Sequence, residues 1–372
     1  LFEAFERPMM MAPTPSVAGL VRHVMLRPHL ARLMAPGKSL AASLKSQFSD
    51  PRLRQLFGRY ATYVGGSPYQ SPSLLSLIWE SEARGVWRIK GGMHKLAKAM
   101  HDLAVARGAE FQFGLGATRI ERQDGAVSAV YLSDGQKLPA DRVIFNGDPR
   151  ALSQGLLGEA AAKTVPNTAV NPRSLSAWVW SFAATPSGAD LAHHNVFFGQ
   201  DPRSEFDAIE QGKMPVDPTL YVCAQDRGGT APSGLERFEI IMNAPAFSQT
   251  SPEEFALCRA TTFPILRERG LAFSPEPPDQ ALTTPAMFDR LFPASGGSLY
   301  GLSPHGMMAA FKRPQIRTSL KGLFLAGGGV HPGAGIPMAC LSGQHAAEAI
   351  LSDLTLTSRS RPMATRGGMS TA

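Results

Sequence analysis

The densest chemical signal in the chain runs from Lys321 to Leu351. An apolar run, Leu323 to Ala326, leads into five glycines and two prolines between Gly327 and Pro337. Proline suits the first turn of a helix, because its missing N–H would have had no intrahelical partner there. Glycine lets the backbone approach a ligand closely. The free N–H groups of a helix start, at the positive end of its dipole, stabilise electron-rich oxygens. Gly327, Gly328, Gly329, Gly333, Gly335, Ile336 and Pro337 therefore form a candidate cradle for an anion or a flavin. The competing reading is a Gly-rich turn whose glycines serve packing alone. A strand, five glycines and a proline-started helix together favour the cofactor. Ala339, Ser342, Gly343, Ala346 and Ala347 give the helix small side chains, fit for close packing on a sheet or a planar ring.

Other patterns carry less chemistry. His193 and His194 are adjacent, but no carboxylate pattern or HExxH accompanies them, so they read as structural and no metal site is expected. His94 and His101 flank one predicted helix. Cys223, Cys258 and Cys340 lie far apart without CxxC spacing, which excludes a cysteine zinc site and argues against a disulfide scaffold. No G-x-S-x-G elbow is present.

The elements that must position the cradle read as follows. Val86 to Ile89 is a predicted strand, Gly91-Gly92 a tight turn, and Met93 to Arg107 a helix closed by Gly108. Strands follow at Glu110 to Phe113, Ala117 to Arg122, Val127 to Leu132 and Arg142 to Phe145, with turns at Asp124-Gly125 and Asp134-Gly135. Strand, helix, strand and meander suit part of a doubly wound sheet with an antiparallel insert. Between 150 and 315, aromatic and β-branched segments at Leu175 to Phe182, Asn195 to Phe198, Thr219 to Ala224 and Arg237 to Met242 predict an antiparallel sheet. Ser251 and Glu254 form a capping box, with Pro252 at the first helical position and Gly270 closing the helix. Phe182, Phe197, Phe198, Phe206, Phe238, Phe288 and Phe292 either line an elongated apolar pocket or form ordinary core.

The fold class expected is mixed α/β (α+β): part of a doubly wound domain, and an antiparallel-sheet domain with helices. The divisions are 1–84 (helical), 85–149 and 316–352 (doubly wound domain), 150–315 (antiparallel sheet) and 353–372 (disordered tail).

With 372 residues, 44% hydrophobic and 18% charged, the chain has ample material for a core. Its net charge of +7 is uneven, because residues 1–60 hold nine Lys/Arg against Glu3, Glu6 and Asp50. No basic recognition motif occurs there, so nucleic acid is not an expected partner. Val17, Leu20, Val21, Val24 and Met25 follow helical spacing until Pro28, and Leu30, Leu33 and Met34 resume it, with Arg27 and Arg32 between. This segment fits an anionic membrane surface or a helix packed on its own core. No apolar run reaches a membrane span, and nothing at Leu1 reads as a signal peptide. Leu1 is no initiator and no opening strand precedes the helical material, so the sequence reads as a fragment.

Gly327-Gly328-Gly329-Val330-His331-Pro332-Gly333-Ala334-Gly335-Ile336-Pro337 resembles the carboxy-terminal flavin motif of the carotenoid (phytoene) desaturases. Thr62-Tyr63-Val64-Gly65 with Ser67-Pro68 and Pro72, and Gly85-Val86-Trp87 followed by Gly91-Gly92-Met93, resemble two further blocks of that family. The likeness covers about Phe48 to Leu351. Leu175 to Trp180, His193 to Gly199, Pro218 to Arg227 and Gly301 to Phe311 look most like the hydroxyneurosporene (methoxyneurosporene) desaturases of purple photosynthetic bacteria.

The resemblance implies that the doubly wound domain is an incomplete FAD-binding domain of the amine-oxidase type, that 150–315 is the substrate domain and that 1–84 faces substrate and membrane. It further implies FAD as cofactor and 3,4-desaturation of an acyclic 1-hydroxycarotenoid. It places the loop glycines along the flavin and ribityl chain, Gly91, Gly92 and Met93 on the other side, and Ala117 where the backbone meets the adenine. His331 either faces the substrate beside the flavin or caps the loop structurally. The resemblance further implies a peripheral position on the cytoplasmic side of the membrane, with oxygen or a quinone accepting electrons. His193, His194, Gln225 and His305 are candidate partners for the substrate hydroxyl. Hydride loss beside a polyene leaves a delocalised cation whose neighbouring hydrogens are acidic, so no strong protein base is required. Two departures stand out: Val330 replaces the threonine of many relatives, and no GxGxxG occurs, which predicts poor FAD binding by the chain as given. The alternatives are a non-catalytic remnant or membrane-surface module, and a related amine or porphyrinogen oxidase.

Overall fold

The computed structural model describes residues 1–228, 234–247 and 252–359. Local signals set the first helices. Ser16 accepts a hydrogen bond from Gly19 N and starts α1 (Val17–Met25), and Pro28 opens α2 (Pro28–Leu33). Ser39 caps α3 (Leu40–Gln47), and Asp50 caps α4 (Pro51–Gly58). α1 buries no side chain, whereas Leu40 and Leu44 of α3 share a small core with Ala61. A 3₁₀ turn, Arg59–Val64, continues α4 and ends at Gly65 with φ 73°, a left-handed conformation that costs glycine little.

α5 (Met93–Ala106) closes at Gly108 as the sequence predicts. Val86 to Ile89 and Glu110 to Phe113, predicted as strands, form none. A strand needs a hydrogen-bonded neighbour, and among the described residues none lies beside either segment; Trp87 and Phe113 are largely exposed. The meander follows as β1 (Ala117–Gln123), β2 (Ala126–Leu132) and β3 (Lys137–Pro139), and then β4 (Val143–Phe145) leaves it.

The predicted antiparallel sheet is present. It comprises β5 (Ser176–Gly188), β6 (His194–Phe197), β7 (Leu220–Ala224), β8 (Glu236–Ala244), β9 (Leu271–Ser274) and β10 (Leu282–Thr283), with α6 (Pro202–Glu210) between β6 and β7. The order is β10-β5-β8-β7-β6, and β9 pairs with the far end of β5. Alternation along the strands separates two faces. Trp178, Trp180, Leu220, Val222, Phe238, Ile240 and Met242 pack with Phe263 and Leu266 of α7 (Pro252–Glu268). The opposite face carries His194, Tyr221, Cys223, Glu239 and Asn243, where pairing sets His194 beside Cys223 and Cys223 beside Glu239. Of the predicted pocket aromatics, Phe238 is core, Phe182 and Phe197 pack against it, and Phe292 is exposed. Ser251, half of the predicted capping box, lies outside the described residues.

β11 (Leu323–Leu325) returns to pair in parallel with β4, Phe324 opposite Ile144. The whole antiparallel sheet is thus inserted between two adjacent strands of a second core. That core gathers Ile120, Val127, Leu152, Ile316, Leu323 to Ala326, Val330 and Ala346. α8 (Ile336–Arg359) follows and stays helical through 353–359, which the sequence assigns to a disordered tail. Residues 360–372 lie outside the described residues.

Candidate functional site

β11 delivers the chain into the glycine loop, and α8 takes it away. Gly327 N donates to Ser342 Oγ of α8 at 2.7 Å. A Cβ on Gly327, at φ 109°, would stand 2.6 Å from Asn146 Oδ1, and one on Gly329 would stand 2.7 Å from Pro149 Cδ. These two glycines are required by the loop's own packing. Gly335, at φ 103°, has nothing within 4 Å of where a Cβ would point, and the same is true of Gly92 and Gly343. Ile336 and Pro337 are exposed at the start of α8. Packing and open space thus divide the cluster. The open side, with glycine backbone and the N–H groups of a long helix, fits a planar, electron-rich ligand such as a flavin.

Charge holds the loop from behind, and sequence reasoning missed it. Arg313, 7% exposed, donates to the carbonyls of Gly328 and Leu302, each at 3.0 Å. Burial pulls its guanidinium down to about 10, with neighbouring Arg173 pushing the same way. Arg173 is ion-paired with Asp148, both deeply buried, and donates to Val170 O and Ser295 O at 3.0 Å. Asp148 also caps the helix Pro149–Ser153 by accepting from Arg150 N at 2.8 Å. The available signal was Asp148-Pro149, a capping residue before a first-turn proline.

Ala117 is exposed on β1, whose Ile120 shares a core with Val330 of the loop. Gly91 and Gly92 have φ of 86° and 91° ahead of α5, and Met93 is half-exposed. No hydrogen bond joins these residues to the glycine loop among the described residues. His331 is buried, and its Nε2 lies 2.7 Å from Ala12 O. Burial lowers its pKa.

A second feature lies between the loop and the sheet. Gly65 O accepts from Leu175 N, Ser174 N donates to Gly301 O, and Tyr300 N donates to Ser174 Oγ at 3.1 Å. A Cβ on Gly65 would strike the Tyr300 ring, and one on Gly301 would stand 2.9 Å from Gly329 Cα. Tyr300 and Gly301 therefore wedge the Arg59–Val64 turn against the glycine loop. Beside this turn is a cavity of about 420 Å³ between α3, α4, α6 and the open sheet face. Phe198, Phe206, Tyr69 and Pro68 supply its apolar wall, and Arg59, Glu205 and Asn243 its polar end.

The candidate hydroxyl partners fall in different places. His305 Nε2 accepts from Ser67 N at 3.0 Å, and burial lowers its pKa. His193 Nδ1 lies 2.9 Å from Arg227 O, and His194 Nδ1 lies 2.7 Å from the Tyr221 hydroxyl. Gln225 follows β7, its N–H donating to Arg237 O. Strand pairing brings Cys223 to the two histidines, their ligand atoms within 4.8 Å of one another. The Arg88 guanidinium, 3.4 Å from His193 Nδ1, puts a positive charge beside that group.

Inserted sheet, parallel pair and glycine loop together define a flavin-dependent oxidoreductase architecture. The model of the flavin containing amine oxidoreductases matches residues 28–184. A solved putrescine oxidase variant, redesigned in cofactor binding, has the same fold (TM-score 0.50, 15% identity, 87% of this chain and 69% of that one). The hydroxyneurosporene desaturase of Cereibacter sphaeroides is 56% identical over 96% of this chain and 73% of its own. That of Rhodobacter capsulatus is 54% identical over 95% and 72%. The chain belongs to the carotenoid desaturase family of these flavoproteins.

Proposed function

We propose that this protein is an FAD-dependent desaturase that introduces the C3–C4 double bond of an acyclic 1-hydroxycarotenoid in carotenoid biosynthesis. The observation that carries the reading is the identity, above one half and along nearly the whole chain, to hydroxyneurosporene desaturases. FAD, when bound, supplies the hydride acceptor. The open backbone from Gly327 to Pro337 would hold the ring and ribityl chain, with Arg313 fixing the Gly328 carbonyl from behind. Gly91, Gly92 and Met93 would approach from the other side, and Ala117 would meet the adenine. The apolar wall of the cavity excludes water and orients a long hydrocarbon, which is the main work required of the protein.

A peripheral membrane position on the cytoplasmic side accompanies this reading, because the substrate is lipid-soluble. No helix among the described residues is long and apolar enough to cross a membrane. Val17, Val21, Met25 and Leu26 are exposed beside Arg22 and Arg27, the composition of a surface that inserts shallowly into anionic lipid. Oxygen or a quinone would take the electrons.

The test is conversion of 1-hydroxyneurosporene by the FAD-loaded holoenzyme, followed by chromatography and the red shift of the absorption bands. No conversion with FAD bound would overturn the reading in favour of another flavin oxidase. Sedimentation with anionic liposomes should fall as salt rises. Equal binding to neutral liposomes would remove the electrostatic part.

A further inference from the structure

A buried cation ordinarily has a partner, because an unpaired charge out of water is costly. Arg59 is half-buried and lines a cavity instead of meeting a partner. Its guanidinium sits at the polar end of the 420 Å³ cavity, 6.0 Å from the centroid of the Tyr221 ring. Burial pulls it below the ordinary arginine range, and Glu205 is the chief group that opposes the shift. Glu205 is itself occupied: it is 2% exposed and accepts from Asn243 Nδ2 at 2.9 Å and Thr219 N at 3.1 Å. No ion pair or side-chain hydrogen bond to Arg59 occurs among the described residues, while Arg54 and Arg203, also on this cavity, are engaged by Phe48 O and Asp207.

We infer that Arg59 reads the oxygenated end of the substrate, donating to its oxygen inside a cavity that Phe198, Phe206, Tyr69 and Pro68 line with apolar surface and whose other cations, Arg54 and Arg203, are already engaged. A guanidinium offers donors and no acceptor, so it selects an oxygen lone pair and has nothing to offer a hydrocarbon terminus. A hydrocarbon there leaves the cation desolvated and unpaired, and discrimination arises from that penalty. Tyr300 connects the two sites: its ring packs on Gly65 at the end of the Arg59–Val64 turn, and the next residue, Gly301, packs on Gly329 of the glycine loop. An end group held at Arg59 is thereby held at a fixed offset from the loop. This assignment rests on the carotenoid reading and adds to it the residue that sets specificity. Sequence reasoning passed over Arg59 because it counted the residue only toward a basic surface.

The experiment measures kcat/KM of the FAD-loaded holoenzyme for 1-hydroxyneurosporene and neurosporene, in the native protein and in Arg59→Met and Arg59→Lys. Arg59→Met keeps much of the stem and removes the donors. The expected result is a fall in the hydroxyl preference of about 10- to 100-fold in Arg59→Met, the range of a hydrogen bond to a charged group, with a smaller fall in Arg59→Lys. Retained FAD absorbance and far-UV circular dichroism identify folded variants. Where Arg59→Met does not fold, the Lys variant decides. An unchanged preference, or equal loss for both substrates at full FAD content, overturns the assignment. Failure of the native protein on both substrates with FAD bound overturns the carotenoid reading instead.

Discussion

His331 Nε2 lies 2.7 Å from the carbonyl oxygen of Ala12, 319 residues earlier in the chain. The glycine loop is therefore fastened to the irregular stretch before α1 through a buried imidazole. The contact requires the proton on Nε2, since a carbonyl only accepts. Replacing His331 with Ala should leave the Ala12 carbonyl without its partner and loosen the segment before α1. The expected readout is faster amide hydrogen exchange in residues 11–20, with α8 unaffected. Unchanged exchange there would show that the contact does not hold the segment.

The glycines divide into two classes with different consequences. Gly329→Val should lower both expression and flavin content, because its Cβ would press on Pro149. Gly335→Val, and to a lesser degree Gly333→Val, should lose flavin while the protein still folds. Strain at φ 103° and 133° costs about 1–2 kcal/mol, but no protein atom stands in the way of Gly335 and only Arg313, at 3.6 Å, near Gly333. FAD absorbance per mole of protein, beside the melting temperature, separates the two. Full flavin retention in Gly335→Val would count against the cradle.

What the sequence made legible was local. Glycine spacing, the four long segments of the antiparallel sheet, and the Met93–Gly108 helix with its stop were all readable, because periodicity and turn chemistry act over a few residues. Val86 to Ile89 and Glu110 to Phe113 have strand composition, but composition does not supply a hydrogen-bonded neighbour. Contacts between distant residues were invisible: Asp148 with Arg173, Gly301 against Gly329, and Cys223 beside His194. Arg59 was counted as one of nine basic residues near the amino terminus, and its place on the cavity depends on where α4 meets the open sheet face.

His305 gives the fold an acid sensitivity. Burial lowers its pKa, and its Nε2 accepts from Ser67 N, so protonation both charges a buried ring and turns the acceptor into a donor facing a donor. The unfolded chain, near 6.5, then takes up the proton before the folded one, and stability is complete above about 6.5 and falls as pH drops below it. His194 and His331, also lowered by burial, act with the same sign. The His305 share is isolated by His305→Gln, which keeps an acceptor without a proton to gain. Its unfolding free energy should decline less steeply than the native protein's between pH 7 and 5, by up to about 1.4 kcal/mol per pH unit for one group. Parallel curves would show that His305 takes up its proton equally in the folded and the unfolded chain, so that burial shifts nothing.

The Asp148–Arg173 pair is the contact most sensitive to loss of one partner. Asp148→Ala leaves the Arg173 guanidinium buried near a second buried cation, Arg313, and also removes the cap of the helix Pro149–Ser153. Breaking such a pair costs about 3–5 kcal/mol, against a typical folding stability of about 5–15 kcal/mol. Arg173→Met should cost less, because Asp148 keeps its bond from Arg150 N and the new side chain fills part of the space. Arg313 links the damage to function: its bond to Gly328 O positions the loop, so loss of the anion nearby should lower flavin content before the protein unfolds. Chemical denaturation with flavin release monitored in parallel checks both. A smaller loss in Asp148→Ala than in Arg173→Met would count against the unpaired-cation cost, and flavin release coincident with unfolding would show that the pair acts on global stability alone.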